Sequence, residues 1–392
     1  MSFSQSLMKI KSIECVRVQF PKKNFNSKPR KQSWAETDEV ANPMSRFASV
    51  KAHRNLWLPK WESVWCKVTL ENGVWGLGMT DQGVVAATII REHLEPNLVG
   101  KDGFAIEMIS DMMFRLTKPF GTVGLASYAI SAIDLALWDA KAKSLGVPVY
   151  SLIGGPKEEK IFCYATGNDV DWYKELGFTA FKLACPYGPA DGLEGLKKNV
   201  EFVEKARFII GNDAELMLDC WMALDVEYTV RLAEQLRHCR LRWMEECLLS
   251  EDFLGHVSLR KELPWQTLTT GEHWYTHFPF QWAVSNDVVD ILQPDINWVG
   301  GLTTCLKIAA IAESAGKKVM LHAGGRNPYG QHFSHAVSCV PWLEYFVRGA
   351  PGIPLEETIE VPRQKIPKDG WMELDDRPGF GLGIEESWLS PY

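Results

Sequence analysis

Five short apolar runs in the second half of the chain each end in a residue that can bind a metal or move a proton. The end residues are Asp219, Glu245, Glu272, Asp295 and His322, and the steps between them are 26, 27, 23 and 27 positions. Each step is about the length of a strand, a helix and their connecting loops, so the pattern predicts successive βα units. Functional groups of a parallel barrel sit at the carboxyl ends of its strands, so we expect the five side chains to converge on one mouth.

Eight apolar runs can be placed as the strands of such a barrel, and helical stretches such as 193–209 and 226–238 fill gaps between them. The predicted strands are 161–167, 179–184, 215–221, 242–248, 267–273, 289–296, 318–323 and 342–347. The pattern therefore predicts an α/β fold with a TIM-like barrel.

The residues before the barrel have the pattern of a separate α+β domain. Residues 9–20 alternate between apolar and polar side chains, and residues 63–80 are two apolar runs joined at Asn72-Gly73, a strong hairpin signal. Residues 84–118 and 122–145 are predicted as helices. A three-stranded antiparallel sheet with helices is expected there.

Three regions follow from these patterns. An α+β domain is predicted over residues 1–125 and the barrel over residues 126–351. The tail 352–392 has Pro and Gly punctuation without strong periodicity, and it is expected to return to the first domain.

A long segment, residues 21–62, separates the first strand from the hairpin. Loops longer than about 15 residues in a compact domain are usually functional or disordered. Here Trp34, Phe47 and Trp57 are interleaved with nine Lys and Arg residues. A lid over an acidic ligand and a solvated basic loop are equally good interpretations, and an arm that binds nucleic acid is a third.

Composition places the chain among globular proteins. Of its 392 residues, 23% are charged and 46% are hydrophobic, which is typical of a packed protein and not of a disordered one. The formal net charge of −7 argues weakly against a nucleic-acid binder. We find no run of about 18 apolar residues and no apolar leader at the start, so we expect a cytoplasmic protein without a membrane partner.

Nine cysteines are spread along the chain without a CxxC pair, which argues against both a disulfide framework and a zinc cluster. Most are expected to be reduced thiols in the core. Cys220 and Cys247 lie within two residues of candidate metal ligands, and small apolar packing is favoured over a redox role for both.

Asp219, Glu245 and Glu272 give three hard oxygen donors on consecutive predicted strands. Three carboxylates that close together would repel one another unless a divalent cation neutralised them, and ligation by oxygen alone favours Mg²⁺ over zinc. A single acidic residue at a strand end is more often a helix cap or a surface charge. Three in phase favour a site for one Mg²⁺ in each chain.

Asp295 and His322 end the next two predicted strands. A carboxylate can accept the proton on one imidazole nitrogen, which fixes the tautomer and raises the basicity of the other nitrogen. A lone His at a strand end is more often structural. With a carboxylate partner and a metal site beside it, His322 is favoured as a catalytic base that Asp295 orients.

Nearly the whole chain resembles the mandelate racemase subgroup of the enolase superfamily. The resemblance runs from the hairpin through 135–139 (LALWD), 152–155 (LIGG) and Lys182 to the five strand-end residues and Glu344. It implies a (β/α)7β barrel with an N-terminal capping domain that the C-terminal tail completes. It also implies that Mg²⁺ binds the substrate carboxylate, that a base removes the α proton, and that Lys182 and Glu344 contact the ene-diolate or carboxylate.

One departure from this family pattern bears on the reaction type. Racemases of the family carry Lys-x-Lys at the end of the second strand, whereas this chain has Lys182-Leu183-Ala184. The second lysine, which would be the opposite base, is missing. A single His322 can still take the α proton and then protonate a departing β hydroxyl on the same face, so the departure favours syn dehydration over racemisation.

Within the subgroup, the chain is similar to the L-rhamnonate dehydratase family. The matching segments are 41–45 (ANPMS), 164–167 (YATG), 187–192 (YGPADG), 216–222 (LMLDCWM), 245–248 (EECL), 271–273 (GEH), 293–295 (QPD) and 300–304 (GGLTT). The similarity implies conversion of L-rhamnonate, a six-carbon aldonate, to its 2-keto-3-deoxy acid.

The same similarity implies a set of substrate contacts. Loop 21–62 would cover the substrate, and Ser33, Arg54 and His273 would contact it. Ser33 stands where bacterial members carry a histidine, and the run 323–330 (AGGRNPYG) also departs from the family pattern.

Two other functions stay open. One is dehydration of a related aldonate such as L-lyxonate or L-mannonate, and the other is a non-catalytic, metal-binding regulatory protein. The intact Asp295 and His322 argue against the second. The expected partners are a small acid sugar and further copies of the chain, in a homo-oligomer of between two and eight subunits, with no nucleic acid.

Overall fold

A computed structural model of the chain describes residues 8–21, 27–49 and 58–392. The strands in these ranges form two sheets, one of four strands and one of nine. In chain order they are β1 Ile10–Val18, β2 Val64–Leu70, β3 Trp75–Thr80, β4 Lys160–Thr166, β5 Ala180–Ala184, β6 Glu215–Asp219, β7 Met244–Glu245, β8 Leu268–Thr270, β9 Ile291–Leu292, β10 Lys318–Val319, β11 Trp342–Phe346, β12 Trp371–Glu373 and β13 Leu389–Pro391.

Helices fill most of the connections between the strands. They are α1 Trp34–Thr37, α2 Gly83–Ile89, α3 Glu95–Leu98, α4 Ile106–Thr117, α5 Leu125–Leu145, α6 Val149–Leu152, α7 Val170–Glu175, α8 Gly192–Ile210, α9 Val226–Gln235, α10 Phe253–Glu262, α11 Phe278–Ser285, α12 Gly301–Ser314 and α13 Pro328–Ala336. The single helix predicted over 84–118 is interrupted, because Gly100 has a left-handed backbone with φ of +81° just after α3. Among the described residues, no helix is both long enough and apolar enough to cross a bilayer.

The smaller sheet is antiparallel, with strand order β13-β1-β2-β3. Strands β2 and β3 form the predicted hairpin, and Gly73 at its turn has φ of +82°, which a side chain would strain. Residues Leu389–Pro391 of β13 pair with Val16 to Val18 of β1. The end of the chain therefore lies beside its first strand.

The backbone of helix α5 packs closely against the backbone of this sheet. A Cβ atom at Gly76 of β3 would lie 2.1 Å from the carbonyl oxygen of Ala136, and one at Gly78 would lie 2.0 Å from that of Ala132. Only glycine fits at these two positions. Buried apolar side chains of α5 share one core with those of β1 and β2, so this helix packs with the sheet, beyond the domain boundary predicted at residue 125.

The larger sheet confirms the eight predicted parallel strands, in the order β10-β9-β8-β7-β6-β5-β4-β11. The N–H of Val319 in β10 donates to the carbonyl of Cys339, just before β11, at 3.0 Å. An added strand, β12, which the sequence analysis did not predict, runs antiparallel to β4. Apolar side chains from around the sheet meet in an interior layer of Tyr164, Ala180, Met217, Trp243, Ile291 and Met320. The chain therefore has an α/β TIM-like fold.

The described part of the long N-terminal segment lies over the carboxyl ends of barrel strands. Trp34 is 3% exposed, and its ring lies 5.9 Å from that of Phe346 at the end of β11. The N–H of Trp34 donates to Asp169 Oδ2 at 3.1 Å, and that of Ala41 donates to the carbonyl of Cys185 at 2.8 Å. For residues 27–49 these contacts favour a covering segment over a solvated loop.

All nine cysteines lie in the described part of the chain, and each is a free thiol. Eight are buried and Cys339 is half-buried, which confirms the prediction of reduced core thiols. Cys220 and Cys247 are among the buried ones and pack in the main hydrophobic core.

A buried carboxylate, Asp139 in α5, joins the sheet to the tail. It accepts hydrogen bonds at 2.9 Å from the N–H groups of Leu77 in β3 and Phe380 in the tail. Replacing Asp139 with Ala should therefore leave two buried donors unpaired and lower the free energy of unfolding by about 3 kcal/mol. Chemical denaturation followed by circular dichroism measures this change.

A matched control for that variant is Asp111→Ala, which removes an exposed carboxylate that pairs with Arg115 at 2.8 Å. Exposed pairs on a helix surface contribute little to stability, so this change should leave the denaturation midpoint close to that of the wild type. Equal effects of the two substitutions would contradict the role given to Asp139.

Candidate active site

The carboxyl ends of the barrel strands carry the five side chains that the sequence predicts to converge. Asp219 and Glu245 are the last residues of β6 and β7, and they are register partners. Glu272, Asp295 and His322 follow β8, β9 and β10. His322 Nδ1 lies 2.7 Å from Asp295 Oδ2, and its Nε2 lies 3.4 Å from Glu272 Oε2. We call these five side chains, together with Lys182, Glu246, His273 and Glu344, the rim.

Lys182 in β5 is fully buried and contacts three carboxylates of the rim. Its Nζ lies 2.7 Å from Glu344 Oε1 and 3.5 Å from Asp219 Oδ2, and it also contacts Glu245 Oε1. Burial alone would lower the pKa of Lys182, but these carboxylates raise it well above its ordinary range. The ammonium group therefore keeps its proton at neutral pH and acts as a fixed positive charge.

Glu344 of β11 is the counterpart of this lysine. Its Oε1 accepts a hydrogen bond from Thr166 Oγ1 at 2.5 Å, and its Oε2 accepts one from the N–H of Ala323 at 2.6 Å. Burial would raise the pKa of Glu344, but the positive charges of Lys182 and His322 outweigh it and lower the pKa to about 2. Glu344 is therefore ionised across the neutral range.

Glu245 is 1% exposed, and both of its oxygens have partners. Its Oε2 accepts hydrogen bonds from Trp243 Nε1 at 2.9 Å and Gln293 Nε2 at 2.8 Å, while Oε1 contacts Lys182. Burial is the largest effect on its pKa, which is raised to about 7 in spite of the lysine.

Glu246 is a further carboxylate at the rim, and it is not among the site residues predicted from the sequence. It is 1% exposed, and both of its oxygens lie 3.0 Å from His273 Nδ1. Alternation along a strand would direct Glu245 and Glu246 to opposite faces, but Glu246 has φ of +45°, which ends the alternation. In the sequence, the sign that could have identified Glu246 is its place as the second of two adjacent Glu residues at a strand end.

The rim holds more negative than positive charge. Beside Lys182 and two histidines lie six carboxylates: Asp219, Glu245, Glu246, Glu272, Asp295 and Glu344. If all six were ionised and both histidines protonated, six negative and three positive charges would leave −3. Burial raises the pKa of Glu272 to about 8 and raises that of Asp219. In the described residues, ligand atoms of Glu246, Glu272 and His273 lie within 4.8 Å of one another. Two of these ligand atoms are carboxylate oxygens and the third is a ring nitrogen of His273, and the described residues hold no such group made of Asp219, Glu245 and Glu272. The carboxylates of the rim still need positive charge, which a divalent cation such as Mg²⁺ would supply.

Asp295 holds His322 in one orientation. One oxygen of Asp295 lies 2.7 Å from His322 Nδ1, and the other accepts the N–H of Asn297 at 2.7 Å. Because an ionised carboxylate only accepts hydrogen bonds, we assign the ring proton to Nδ1, which leaves Nε2 facing the rim. Burial would lower the pKa of His322, but Glu272 and Asp295 raise it well above its ordinary range. The ring therefore carries a proton on both nitrogens at neutral pH unless the effect of the neighbouring carboxylates is offset, and Nε2 is the nitrogen that faces the rim.

Strand β5 offers no second base to the rim. Lys182 holds its proton against the surrounding carboxylates, and Ala184 at the end of the strand presents only a methyl group beside Asp219, its register partner. The described part of β5 therefore places no free base opposite His322.

The three residues expected to contact substrate stand in different places. His273 belongs to the rim, and its pKa is raised to about 9 because Glu246 outweighs the effect of burial. Ser33 is 5% exposed, and its hydroxyl accepts the N–H of Ala35 at 3.4 Å as the N-cap of α1. Arg54 lies outside the described residues.

Two family models match the chain. Residues 168–388 match the enolase C-terminal domain-like family. Residues 59–154 match the N-terminal domain of the mandelate racemase / muconate lactonizing enzyme family.

Relatives with similar sequences include two named for one reaction. The L-rhamnonate dehydratase of Saccharopolyspora erythraea is 36% identical over 382 residues, which are 96% of this chain and 97% of that protein. A putative L-rhamnonate dehydratase of Caldivirga maquilingensis is 38% identical over 358 residues, which are 89% of this chain and 88% of that protein.

Solved structures give the same picture. L-rhamnonate dehydratase from Gibberella zeae has a TM-score of 0.90 and 33% identity, covering 100% of this chain and 98% of that one. A structure of rhamnonate dehydratase from Gibberella zeae complexed with Mg also has a TM-score of 0.90 and 33% identity, covering 98% and 97%.

Replacing Lys182 with Met should lower the free energy of unfolding by about 3–5 kcal/mol, because buried carboxylates lose their counter-charge. The double variant Lys182→Met/Glu344→Gln should recover part of that loss, since one of those carboxylates is then neutral. Chemical denaturation of the single and double variants measures both effects.

Lys197→Met is the control for this pair, because Lys197 is an exposed partner of Glu201 on α8, with a side chain 71% exposed. It should leave the denaturation midpoint nearly unchanged. A Lys182→Met protein as stable as the Lys197→Met protein would contradict the ion cluster described above.

Proposed function

The chain belongs to the mandelate racemase and muconate lactonizing enzyme family of enolase-like proteins, and from that premise we propose that it is an Mg²⁺-dependent dehydratase. Its substrate is L-rhamnonate and its product is 2-keto-3-deoxy-L-rhamnonate. The observation that carries the proposal is the Asp295–His322 pair, with Nδ1 and Oδ2 2.7 Å apart, beside a rim of buried carboxylates. The rhamnonate dehydratases that the chain resembles support the choice of substrate.

We assign the cation to Asp219, Glu245 and Glu272, one ion per chain. Their oxygens are the hard donors that Mg²⁺ prefers, and they approach the rim from three neighbouring strands. Bound Mg²⁺ supplies positive charge that stabilises the ene-diolate formed from the substrate carboxylate. A cation held by Glu272 would offset the largest carboxylate effect that raises the pKa of His322, and Asp295 and Glu344 would remain as the others.

His322 carries both proton steps. Nε2 takes the proton from C2 of the aldonate, and the electron pair of the C–H bond moves into the carboxylate to give the ene-diolate. The imidazolium, stabilised by Asp295, then protonates the C3 hydroxyl as the C3–O bond breaks and the electron pair returns to form the C2–C3 enol. The enol becomes the 2-keto acid, and one water has left. Because one group serves both steps, the elimination is syn.

Lys182 and Glu344 act beside this base. The protonated ammonium of Lys182 stabilises negative charge on the ene-diolate oxygens, and Glu344 keeps that ammonium in place at 2.7 Å. With a methyl group at Ala184, the intermediate cannot be reprotonated from the β5 side. Elimination is therefore favoured over racemisation.

The N-terminal residues are assigned to substrate cover. In this proposal the smaller sheet with α5 caps the barrel, the tail completes it through β13, and the loop 21–62 closes over the substrate. Ser33, Arg54 and His273 are the proposed contacts to the outer carbons. The packing of Trp34 on Phe346 supports this cover for residues 27–49.

The acid-sugar class is supported more strongly than the individual sugar. The Ser33 hydroxyl already caps α1, and it stands where bacterial members carry histidine, so contacts to the outer hydroxyl groups differ from theirs. L-lyxonate and L-mannonate are therefore the rival substrates, and all three acids belong in one assay for 2-keto-3-deoxy products.

The proposal includes self-association into a homo-oligomer of between two and eight chains. Large apolar side chains on the outside, among them Phe208 at 88% and Leu254 at 82% exposure, are available for subunit contacts. Sedimentation at several concentrations gives the number of subunits.

Chelation with EDTA should abolish turnover of L-rhamnonate, and added Mg²⁺ should restore it, because the buried carboxylates need a counter-charge. Glu272→Gln should weaken binding of Mn²⁺, measured by electron paramagnetic resonance as a substitute for Mg²⁺, by at least about tenfold. Full turnover in a metal-free sample would contradict the proposed dependence on Mg²⁺.

His322→Asn should lose dehydration and also the exchange of the C2 hydrogen with solvent deuterium, because both steps need Nε2. Asp295→Asn should leave a ring in the wrong tautomer and lower kcat by about 10⁴, the size of the analogous loss in a Ser-His-Asp triad. Rates of product formation and of deuterium uptake measure these effects. Exchange at the wild-type rate in His322→Asn would assign the base to another group, with Lys182 the first to examine.

A further inference from the structure

The indole ring of Trp298 lies against the proposed base. Trp298 follows Asp295 in the turn after β9, and its N–H donates to the carbonyl of Asp295 at 3.0 Å. Its ring centroid lies 5.0 Å from that of His322 and 5.9 Å from that of His273. One aromatic side chain thus borders both histidines of the rim.

Residues of the smaller domain, which we define as the four-stranded sheet with α5, contact the same indole. The ring of Tyr128 in α5 stacks on it, with centroids 5.6 Å apart and planes 23° apart. Trp298 Nε1 donates to Asp81 Oδ2 at 2.9 Å, and the other oxygen of Asp81 accepts the hydroxyl of Ser63 at 2.8 Å. Asp81 follows β3 directly. The position of the indole is therefore set by residues outside the barrel.

The backbone next to Trp298 is tied to the same strand. The carbonyl of Asn297 accepts a hydrogen bond from Thr80 Oγ1 at 2.7 Å, and Asn297 Nδ2 donates to the carbonyl of Met79 at 2.7 Å. The N–H of Asn297 donates to the Asp295 oxygen that is not bonded to His322. The end of β3 thus holds both groups that contact the imidazole, the carboxylate and the indole.

We propose that Trp298 is a positioning residue for His322, and that the smaller domain fixes it there through Asp81 and Tyr128. The inference rests on the proposed function, in which His322 moves both protons. A single hydrogen bond to Asp295 leaves the imidazole able to tilt about that bond, and the indole packed against the ring limits the tilt. A misplacement of about 1 Å can cost about 10²-fold in rate, so this constraint acts on kcat.

The test compares variants that keep or remove each contact, with L-rhamnonate and saturating Mg²⁺. Trp298→Leu should lower kcat roughly 10- to 100-fold while KM changes by less than about threefold, because the indole acts on the base and not on the substrate. Trp298→Phe keeps an aromatic face on the imidazole and should recover most of kcat. Asp81→Leu should behave like Trp298→Leu, and Asp81→Asn, whose amide oxygen still accepts the indole N–H, should stay near the wild type.

Trp265→Phe is the control for a tryptophan change, because Trp265 is 36% exposed and packs on Arg237, away from the rim. It should leave kcat and KM unchanged. A kcat within twofold of the wild type in both Trp298→Leu and Asp81→Leu would overturn the proposal. So would an equal loss in Asp81→Asn and Asp81→Leu, since the hydrogen bond would then not be what matters.

A second measurement needs no turnover. In ¹⁵N-histidine-labelled protein, the Nδ1–H resonance of His322 is the one lost in His322→Asn, and it should broaden or shift in Trp298→Leu and Asp81→Leu but not in Asp81→Asn. An unchanged resonance in every variant would refute the positioning role. If the wild type dehydrates no aldonate, the proposed function fails, and this resonance still decides the role of Trp298. If Trp298→Leu shows no cooperative melting transition, the two Asp81 variants decide it.

Discussion

The rim depends on one electrostatic constraint: five buried carboxylates and the partly exposed Asp219 lie together with three groups that can carry positive charge. Ionised carboxylates in a desolvated site repel one another strongly, so each must have a cation, a proton or several hydrogen-bond donors. Lys182 supplies part of the positive charge on the β5 side, and His322 can supply part of it on the β10 side. The remaining negative charge fits the binding of a divalent ion.

The strand-end residues were predictable because a parallel barrel makes side-chain direction a matter of sequence position. Once apolar runs recur at the length of a βα unit, the residue that ends each run must lie at the same mouth, as Asp219 and Glu245 do. The hairpin was equally accessible from Asn72 and Gly73. These features depend on residues that are close together in the sequence, so the sequence pattern predicts them.

Other features depend on contacts between distant segments, which the pattern of one chain does not contain. Glu246 reaches the rim through a left-handed backbone at a strand end, where strand alternation predicts the opposite face. Trp298 is one of 16 tryptophans, and nothing near it in sequence marks it as the one that meets Tyr128 and Asp81. The placement of α5 likewise depends on the close approach that Gly76 and Gly78 allow. Buried side chains of α5 lie in both of the two larger hydrophobic cores.

The hydrogen bonds between the end of β3 and the turn 295–299 also bear on how such proteins can be recombined. Asp81 follows β3 of the smaller sheet and Tyr128 lies in α5, yet both contact the ring that borders His322. A hybrid assembled from two relatives would therefore change the packing around the His322 ring, unless the junction keeps Asp81, Tyr128 and Trp298 from a single parent.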